Sequence, residues 1–89
     1  MQKKNDVPRE PLVVTTGHGL CYELGPADGK GERTITTGGR ALTGSDRWGV
    51  TFLLVGERMV YFPEGSYDPD DTRMTHFPVE SIQKGAPHA

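Results

Sequence analysis

Hydrophobic positions are densest over residues 48–63, where two apolar stretches flank the dipeptide Gly56-Glu57. Gly at the first central position of a two-residue loop is typical of a type II′ turn, whose twist suits antiparallel strands. The pattern therefore predicts a β-hairpin over 48–63, in a register that places Phe52 opposite Tyr61.

Both faces of this predicted hairpin are apolar. In the expected register one face carries Val50, Phe52, Leu54, Met59 and Tyr61, and the other carries Leu53, Val55, Val60 and Phe62. Such a hairpin is normally covered by protein on both sides, so we expect it at the centre of the core. A chain of 89 residues with 12 Gly buries limited surface and loses much backbone entropy on folding. We therefore also expect a homodimer, with the hairpin as the contact surface.

Strand-type patterns recur along the rest of the chain, whereas helical periodicity is nearly absent. Short strands are predicted at 12–16, 20–24, 33–37, 41–43 and 74–77, and a final strand or turn at 79–83. The segment 33–37 is expected to pair with 20–24 across the Gly-rich loop 25–31. About six short strands around a central hairpin predict an all-β fold, as a small antiparallel β-barrel or roll comparable in size to an SH3 domain.

The length and the composition of the ends predict one domain. Polar residues at the start and a Gly/Pro/His tail predict a flexible segment over 1–10, a single β domain over 11–84 and a flexible tail over 85–89. No apolar run has the length of a signal peptide core or a membrane span. The single Cys21 has no partner for an internal disulfide. We therefore expect a cytoplasmic protein with no membrane partner.

The net charge of −2 is distributed unevenly. Residues 64–73 contain four acidic side chains and one basic side chain. The predicted contact residues of this polar loop are Glu64, Tyr67, Asp68, Asp70 and Asp71. An exposed acidic loop suits docking on the basic surface of another protein. The favoured prediction is a small non-enzymatic protein-binding module without a cofactor. In size and composition it is comparable to inhibitors and accessory proteins of phages and other mobile elements.

Nucleic-acid binding is the alternative function. Residues 30–58 contain five basic and three acidic side chains, with Trp48 among them and Tyr22 before them. A small barrel binds nucleic acid by stacking bases on aromatic rings and pairing phosphates with basic groups. The side chains proposed for that face are Arg33, Arg40, Arg47 and Arg58. Because the net charge is negative and acids interleave with these bases, nucleic acid is the less favoured partner.

Two further patterns suggest chemistry without establishing it. The run Asp68-Pro-Asp-Asp-Thr72 matches the Asp-x-Asp-x-Thr motif of phosphotransferases, but that chemistry needs a large α/β domain that this chain has no room for. The same carboxylates suit Ca²⁺, but the Gly turn and distal Glu of an EF-hand loop are missing.

A second candidate site combines His18 and Cys21 with His76, as a thiol–imidazole pair or as three zinc ligands. Residues three apart on a strand point to opposite faces, and a single such pair is weak as a zinc signal. We therefore predict no catalytic residue and no metal ligand.

Overall fold

The structure, a computed structural model, describes residues 7–66 and 68–85. In this part of the chain there are nine strands and two single-turn 3₁₀ helices, Gly17–Gly19 and Pro69–Asp71. The strands are β1 (Leu12–Thr16), β2 (Cys21–Leu24), β3 (Glu32–Arg33), β4 (Ile35–Thr37), β5 (Arg40–Ala41), β6 (Trp48–Phe52), β7 (Val60–Pro63), β8 (Arg73–Met74) and β9 (Val79–Lys84). Every strand pairing is antiparallel, so the predicted all-β class is confirmed.

The strands form two sheets, and the chain passes between them several times, most directly at Thr34. The first sheet has the order β5-β4-β2-β1-β9, and the second has the order β3-β6-β7-β8. Thr34 lies between β3 of the second sheet and β4 of the first. The expected pairing of 20–24 with 33–37 is confirmed for Ile35–Thr37, with Leu24 opposite Ile35. Arg33 instead pairs with Trp48 in the second sheet, so the predicted strand 33–37 is divided between the two sheets. In the described residues neither sheet closes on itself, so the predicted barrel or roll is not confirmed.

A single hydrophobic core joins the two sheets. The strands of the first sheet contribute six buried residues, Leu12, Val14, Tyr22, Leu24, Ile35 and Val79. The second sheet and the loop between β6 and β7 contribute Trp48, Leu53, Met59 and Tyr61. The alternation of buried and half-buried residues along β1 matches a strand with one face on this core. Burial of apolar area at about 25 cal/mol per Å² is the main term that stabilises such a small domain.

The central hairpin forms with a different turn and register from those predicted. Glu57 N–H donates to Leu54 C=O (3.2 Å), so Gly56 is the third residue of the turn, with φ +95°. Gly is favoured there because type II turns need a positive φ at that position. Phe52 pairs with Val60 instead of Tyr61, after an irregularity in the ladder.

The register differs because the loop between β6 and β7 pairs with other strands. Gly56 N–H donates to Val79 C=O, and Val79 N–H donates to Glu57 C=O (both 2.8 Å). Met59 N–H donates to the hydroxyl of Thr75 (3.0 Å). These partners are distant in sequence, so tertiary contacts set the conformation of this loop and override its local turn signal.

The hairpin is covered by the core on one face only, which corrects the expectation of a hairpin buried on both sides. Val50 pairs with Tyr61 on the core side, whereas Phe52, Val60 and Met74 form a cross-strand row on the opposite side. Phe62 lies on the same side as Val60, two residues along β7. We call Phe52, Val60, Phe62 and Met74 the outer apolar face. The first three are half-buried, and Met74 is 52% exposed.

The predicted flexible ends, 1–10 and 85–89, lie mostly outside the described residues and stay predictions. Of the first segment the structure describes residues 7–10, and of the second Gly85. None of the helices in the described ranges is long and apolar enough to cross a membrane.

Candidate functional site

The acidic loop, residues 64–71, connects β7 to β8 at one end of the second sheet. Its first residues are hydrogen-bonded to a neighbouring segment of the same chain, because Glu64 N–H donates to Arg47 C=O (2.9 Å). Gly65 N–H donates to the Glu32 carboxylate (3.1 Å). The Glu32 carboxylate therefore lies beside the loop, although it is 33 residues away along the chain. No pattern along the chain indicates this contact.

The carboxylates of the acidic loop divide into exposed and bonded groups. Glu64, Asp68 and Asp70 are exposed, and Asp71 is half-buried. Asp68 accepts a hydrogen bond from the backbone N–H of Asp70 (2.9 Å), as the cap of the 3₁₀ turn. The Ser66 hydroxyl donates to Asp71 (2.5 Å). These bonds fix the backbone of the loop while leaving most of its negative charge at the surface. The predicted contact residue Tyr67 lies outside the described residues.

Arg47 contacts both the acidic loop, through its backbone C=O, and the loop 25–31, through its side chain. Its guanidinium donates to the Asp28 carboxylate (3.2 Å) and to Glu32 C=O (2.8 Å). The other Asp28 oxygen accepts from the backbone N–H groups of Lys30 and Glu32 (2.9 and 3.0 Å). These backbone bonds to Glu32 and Lys30, with a smaller contribution from Arg47, hold the pKa of Asp28 below its usual value. Arg47 thus links the loop 25–31 to the base of the acidic loop.

Arg33 is a structural residue that binds three backbone carbonyls. The side chain is 1% exposed, and its guanidinium donates to Gly25, Pro8 and Glu10 (2.7, 2.8 and 2.7 Å). Desolvation of the buried cation lowers the pKa of Arg33 from its usual value. The nucleic-acid alternative therefore loses Arg33, because a phosphate has no access to this guanidinium.

The remaining arginines of the predicted nucleic-acid face have different surroundings. Arg47 is engaged with Asp28, as described above. Arg40 is exposed on β5, at the edge of the first sheet, and Arg58 is exposed in the loop before β7. Two of the four predicted side chains are therefore free to meet a polyanion.

The side chain of Arg73, just after the acidic loop, lies over the ring of Trp48, the largest aromatic residue of the core. The Arg73 guanidinium is 5.6 Å from the ring centroid of Trp48, and Trp48 makes an edge-to-face contact with Tyr61 (5.3 Å). Sequence reasoning missed Arg73, because the strand order that brings β8 beside β7 is a tertiary feature. Arg73 closes the exposed side of the core next to the loop.

Tyr61 provides a pH-dependent test of this arrangement. Burial raises the pKa of the Tyr61 phenol above its usual value of 10.0, and Tyr22 raises it further, against a smaller lowering by Arg73. The folded state therefore holds this proton more tightly than the unfolded chain does. The stabilisation by neutral Tyr61 is fully present below about pH 10 and is lost as the pH rises through the higher pKa of the folded state.

We expect the free energy of unfolding to fall as the pH rises above about 10 in the wild type, and to fall less steeply in Tyr61→Phe. Urea unfolding at a series of pH values measures both profiles. Parallel profiles would show that Tyr61 titrates equally in the folded and unfolded chains.

His18 and His76 lie against the same ring, and Cys21 is bonded elsewhere. The ring centroids of His18 and His76 are 4.4 and 4.7 Å from that of Phe77. The Cys21 thiol is 3.7 Å from the hydroxyl of Thr15. Across residues 7–66 and 68–85, no group of three or more His, Cys, Asp or Glu side chains is arranged to hold a metal ion.

Comparison of the chain with known protein families, curated proteins and solved structures finds no match.

Proposed function

We propose that this chain is a non-enzymatic protein-binding module that docks on the basic surface of another protein through its acidic loop. The predicted contact residues are Glu64, Tyr67, Asp68, Asp70 and Asp71. The proposed setting is the cytoplasm, where the unpaired Cys21 stays reduced. The proposed biological role is that of an inhibitor or accessory protein of a phage or other mobile element.

The observation that carries this proposal is the uncompensated charge of a loop whose described residues are held by hydrogen bonds. Within residues 7–66 and 68–85, no Lys or Arg forms an ion pair with a carboxylate of the acidic loop. Its backbone is nevertheless bonded to Arg47 and Glu32, and the side chains of Ser66 and Asp71 are bonded to each other within it. A preorganised acidic loop binds a cationic surface without a large ordering cost, which is how preorganisation favours affinity.

The outer apolar face supports the same proposal. It lies on strands β6, β7 and β8, and the acidic loop connects two of these strands. Protein interfaces combine an apolar centre with a polar rim. The outer apolar face can supply the centre, and the acidic loop the rim on one side. Charge complementarity then favours a partner whose own apolar patch is bordered by Lys or Arg.

The double variant Asp68→Asn and Asp70→Asn tests the role of the loop. Asn keeps the oxygen that caps the 3₁₀ turn but removes two charges from the exposed rim. We expect the association rate with the partner to fall about threefold to tenfold at low salt, and the difference to shrink at high salt. Surface-based kinetics against the protein captured by the wild type measures this.

The matched control removes two exposed charges outside the loop, with Glu23→Gln on β2 of the first sheet and Glu57→Gln in the turn at the opposite end of β7. The control should leave the association rate within about twofold of the wild type, apart from a small effect of net charge. Equal rates for the loop variant and the control would remove the acidic loop from the account.

Nucleic-acid binding stays the alternative proposal, now through Arg40 and Arg58. It requires retention on a polyanion resin that falls steeply with salt. Replacing both arginines with Ala should abolish that retention. A wild-type protein that passes through the resin at low salt ends the alternative.

A further inference from the structure

Strand β9 is an edge strand whose outer side meets no other strand among the described residues. Its inner side pairs with β1, and Gly85 N–H donates to Pro11 C=O (2.8 Å) beyond the last pair. In an antiparallel ladder, alternate residues point their N–H and C=O to the same neighbour. Gln83 and Ser81 therefore bond to β1 like Gly85, whereas Ile82 and Lys84 point their backbone groups away from the sheet.

The open part of this edge has defined limits. At its start, Val79 exchanges backbone hydrogen bonds with Gly56 and Glu57, so the turn after β6 covers the first residue of the edge. The strand ends at Lys84. The uncovered stretch is therefore 80–84, and its central residue is Ile82.

The sequence of this stretch is self-complementary when it is reversed. Glu80-Ser-Ile-Gln-Lys84 has opposite charges at its two ends and polar residues on either side of a central Ile. We propose that β9 pairs antiparallel with β9 of a second copy, about a two-fold axis at Ile82. Glu80 then faces the partner's Lys84. Lys84, which forms an exposed ion pair with Glu10 of its own chain (3.4 Å), faces the partner's Glu80 as well.

Backbone geometry supports this register. Because the N–H and C=O of Ile82 point outward, Ile82 and its counterpart exchange both of their hydrogen bonds across the axis. Ile82 is half-buried and packs against the core, so the two copies of Ile82 extend the apolar side of the sheet. The register of β9 against β1 shifts between Ser81 and Val79, so Glu80 has no partner residue on β1. Because the backbone is irregular there, the charge pair between Glu80 and the partner's Lys84 stabilises this end of the dimer contact more than backbone hydrogen bonds do.

This contact differs from the homodimer expected from the sequence, which used the hairpin. The interface is also small, since five residues from each copy are far fewer than the roughly 20–30 of a standard interface. The dimer is therefore weak, and it forms at high protein concentration. It leaves the acidic loop free, so it neither requires nor replaces the proposed binding function.

Sedimentation velocity from about 10 μM to about 1 mM tests the proposal, with a reductant present so that Cys21 forms no disulfide. We expect the wild type to shift from monomer to dimer across this range. Glu80→Lys or Lys84→Glu alone places like charges opposite each other twice in the dimer. Each should raise the dissociation constant roughly threefold to thirtyfold, and the double swap should restore it.

Lys84→Pro is an independent variant, because the N–H of Lys84 points outward and proline is tolerated at such edge positions. It should abolish the dimer while the thermal unfolding midpoint stays close to that of the wild type. A wild type that remains monomeric at about 1 mM would overturn the proposal. A double swap that does not restore the dimer would also overturn it. So would a dimer that survives Lys84→Pro but is lost in Met74→Lys, because Met74 lies on the outer apolar face and that result would place the interface there.

Discussion

Replacing Arg33 with Ala is expected to lower the free energy of unfolding by about 3–5 kcal/mol. The change removes three hydrogen bonds from a guanidinium that is 1% exposed. It leaves the carbonyls of Gly25, Pro8 and Glu10 without their donor and opens a cavity between the segments that they belong to. A domain of this size has a total stability of about 5–15 kcal/mol, so the variant loses a large part of it.

Thermal and urea unfolding of the variant measure this loss. A decrease of about 3 kcal/mol corresponds to a fall in the unfolding midpoint of roughly 12–24 °C for a domain of 60–100 residues. The matched control is Arg58→Ala, because Arg58 is exposed in a loop. It should change the free energy of unfolding by about 0.5 kcal/mol or less. If both variants were equally stable, Arg33 would not anchor the N-terminal segment.

Replacing Trp48 with Ala is expected to cost about 3–5 kcal/mol of stability. The side chain is 1% exposed, contacts Tyr61 edge-to-face at 5.3 Å and lies under Arg73. Its removal takes the largest side chain from the core and leaves both neighbours without their packing partner. Because Trp48 is the single Trp of the chain, far-UV circular dichroism should follow the unfolding instead of fluorescence.

Phe62→Ala is the matched control for Trp48. Phe62 lies on the outer apolar face of the same sheet and is half-buried. We expect a loss of about 1 kcal/mol, because only part of its area leaves water on folding. Equal losses for the two variants would mean that the hairpin is buried on both faces, as its sequence pattern predicted.

Local pattern was sufficient to predict most of the strands. The β-branched run Leu12–Thr16 and the alternating residues of 20–24 both became strands, and the pairing of Leu24 with Ile35 followed from the loop between them. These features depend on neighbours in sequence, on turn residues and on the period of two that side chains follow in a strand.

The features that sequence reasoning missed depend on distant partners. Gly56 takes the third position of its turn because Val79 bonds to both Gly56 and Glu57. Arg33 is buried because carbonyls from two separate segments converge on its guanidinium. Composition and spacing treat Arg33 like any other basic residue, so they assigned it to a nucleic-acid face.

The same limits apply to the candidate site. The acidic residues of the loop were evident from the sequence, because four of the eight residues from Glu64 to Asp71 are acidic. The contact of Glu32 with the loop was not evident, and neither was the position of Arg73 over Trp48, since both depend on the order of strands in the second sheet. The outer apolar face was assigned to the core because an apolar strand pattern does not show which side is covered.

The most direct test of the binding function is capture of a partner from a lysate of the organism that makes the protein, with nuclease added and with three baits side by side. The baits are the wild type, the loop variant Asp68→Asn/Asp70→Asn and the control Glu23→Gln/Glu57→Gln. We predict one protein in stoichiometric amount, resistant to nuclease, that is retained by the wild type and the control and depleted on the loop variant. Equal capture by all three baits, or the recovery of nucleic acid alone, would contradict the account.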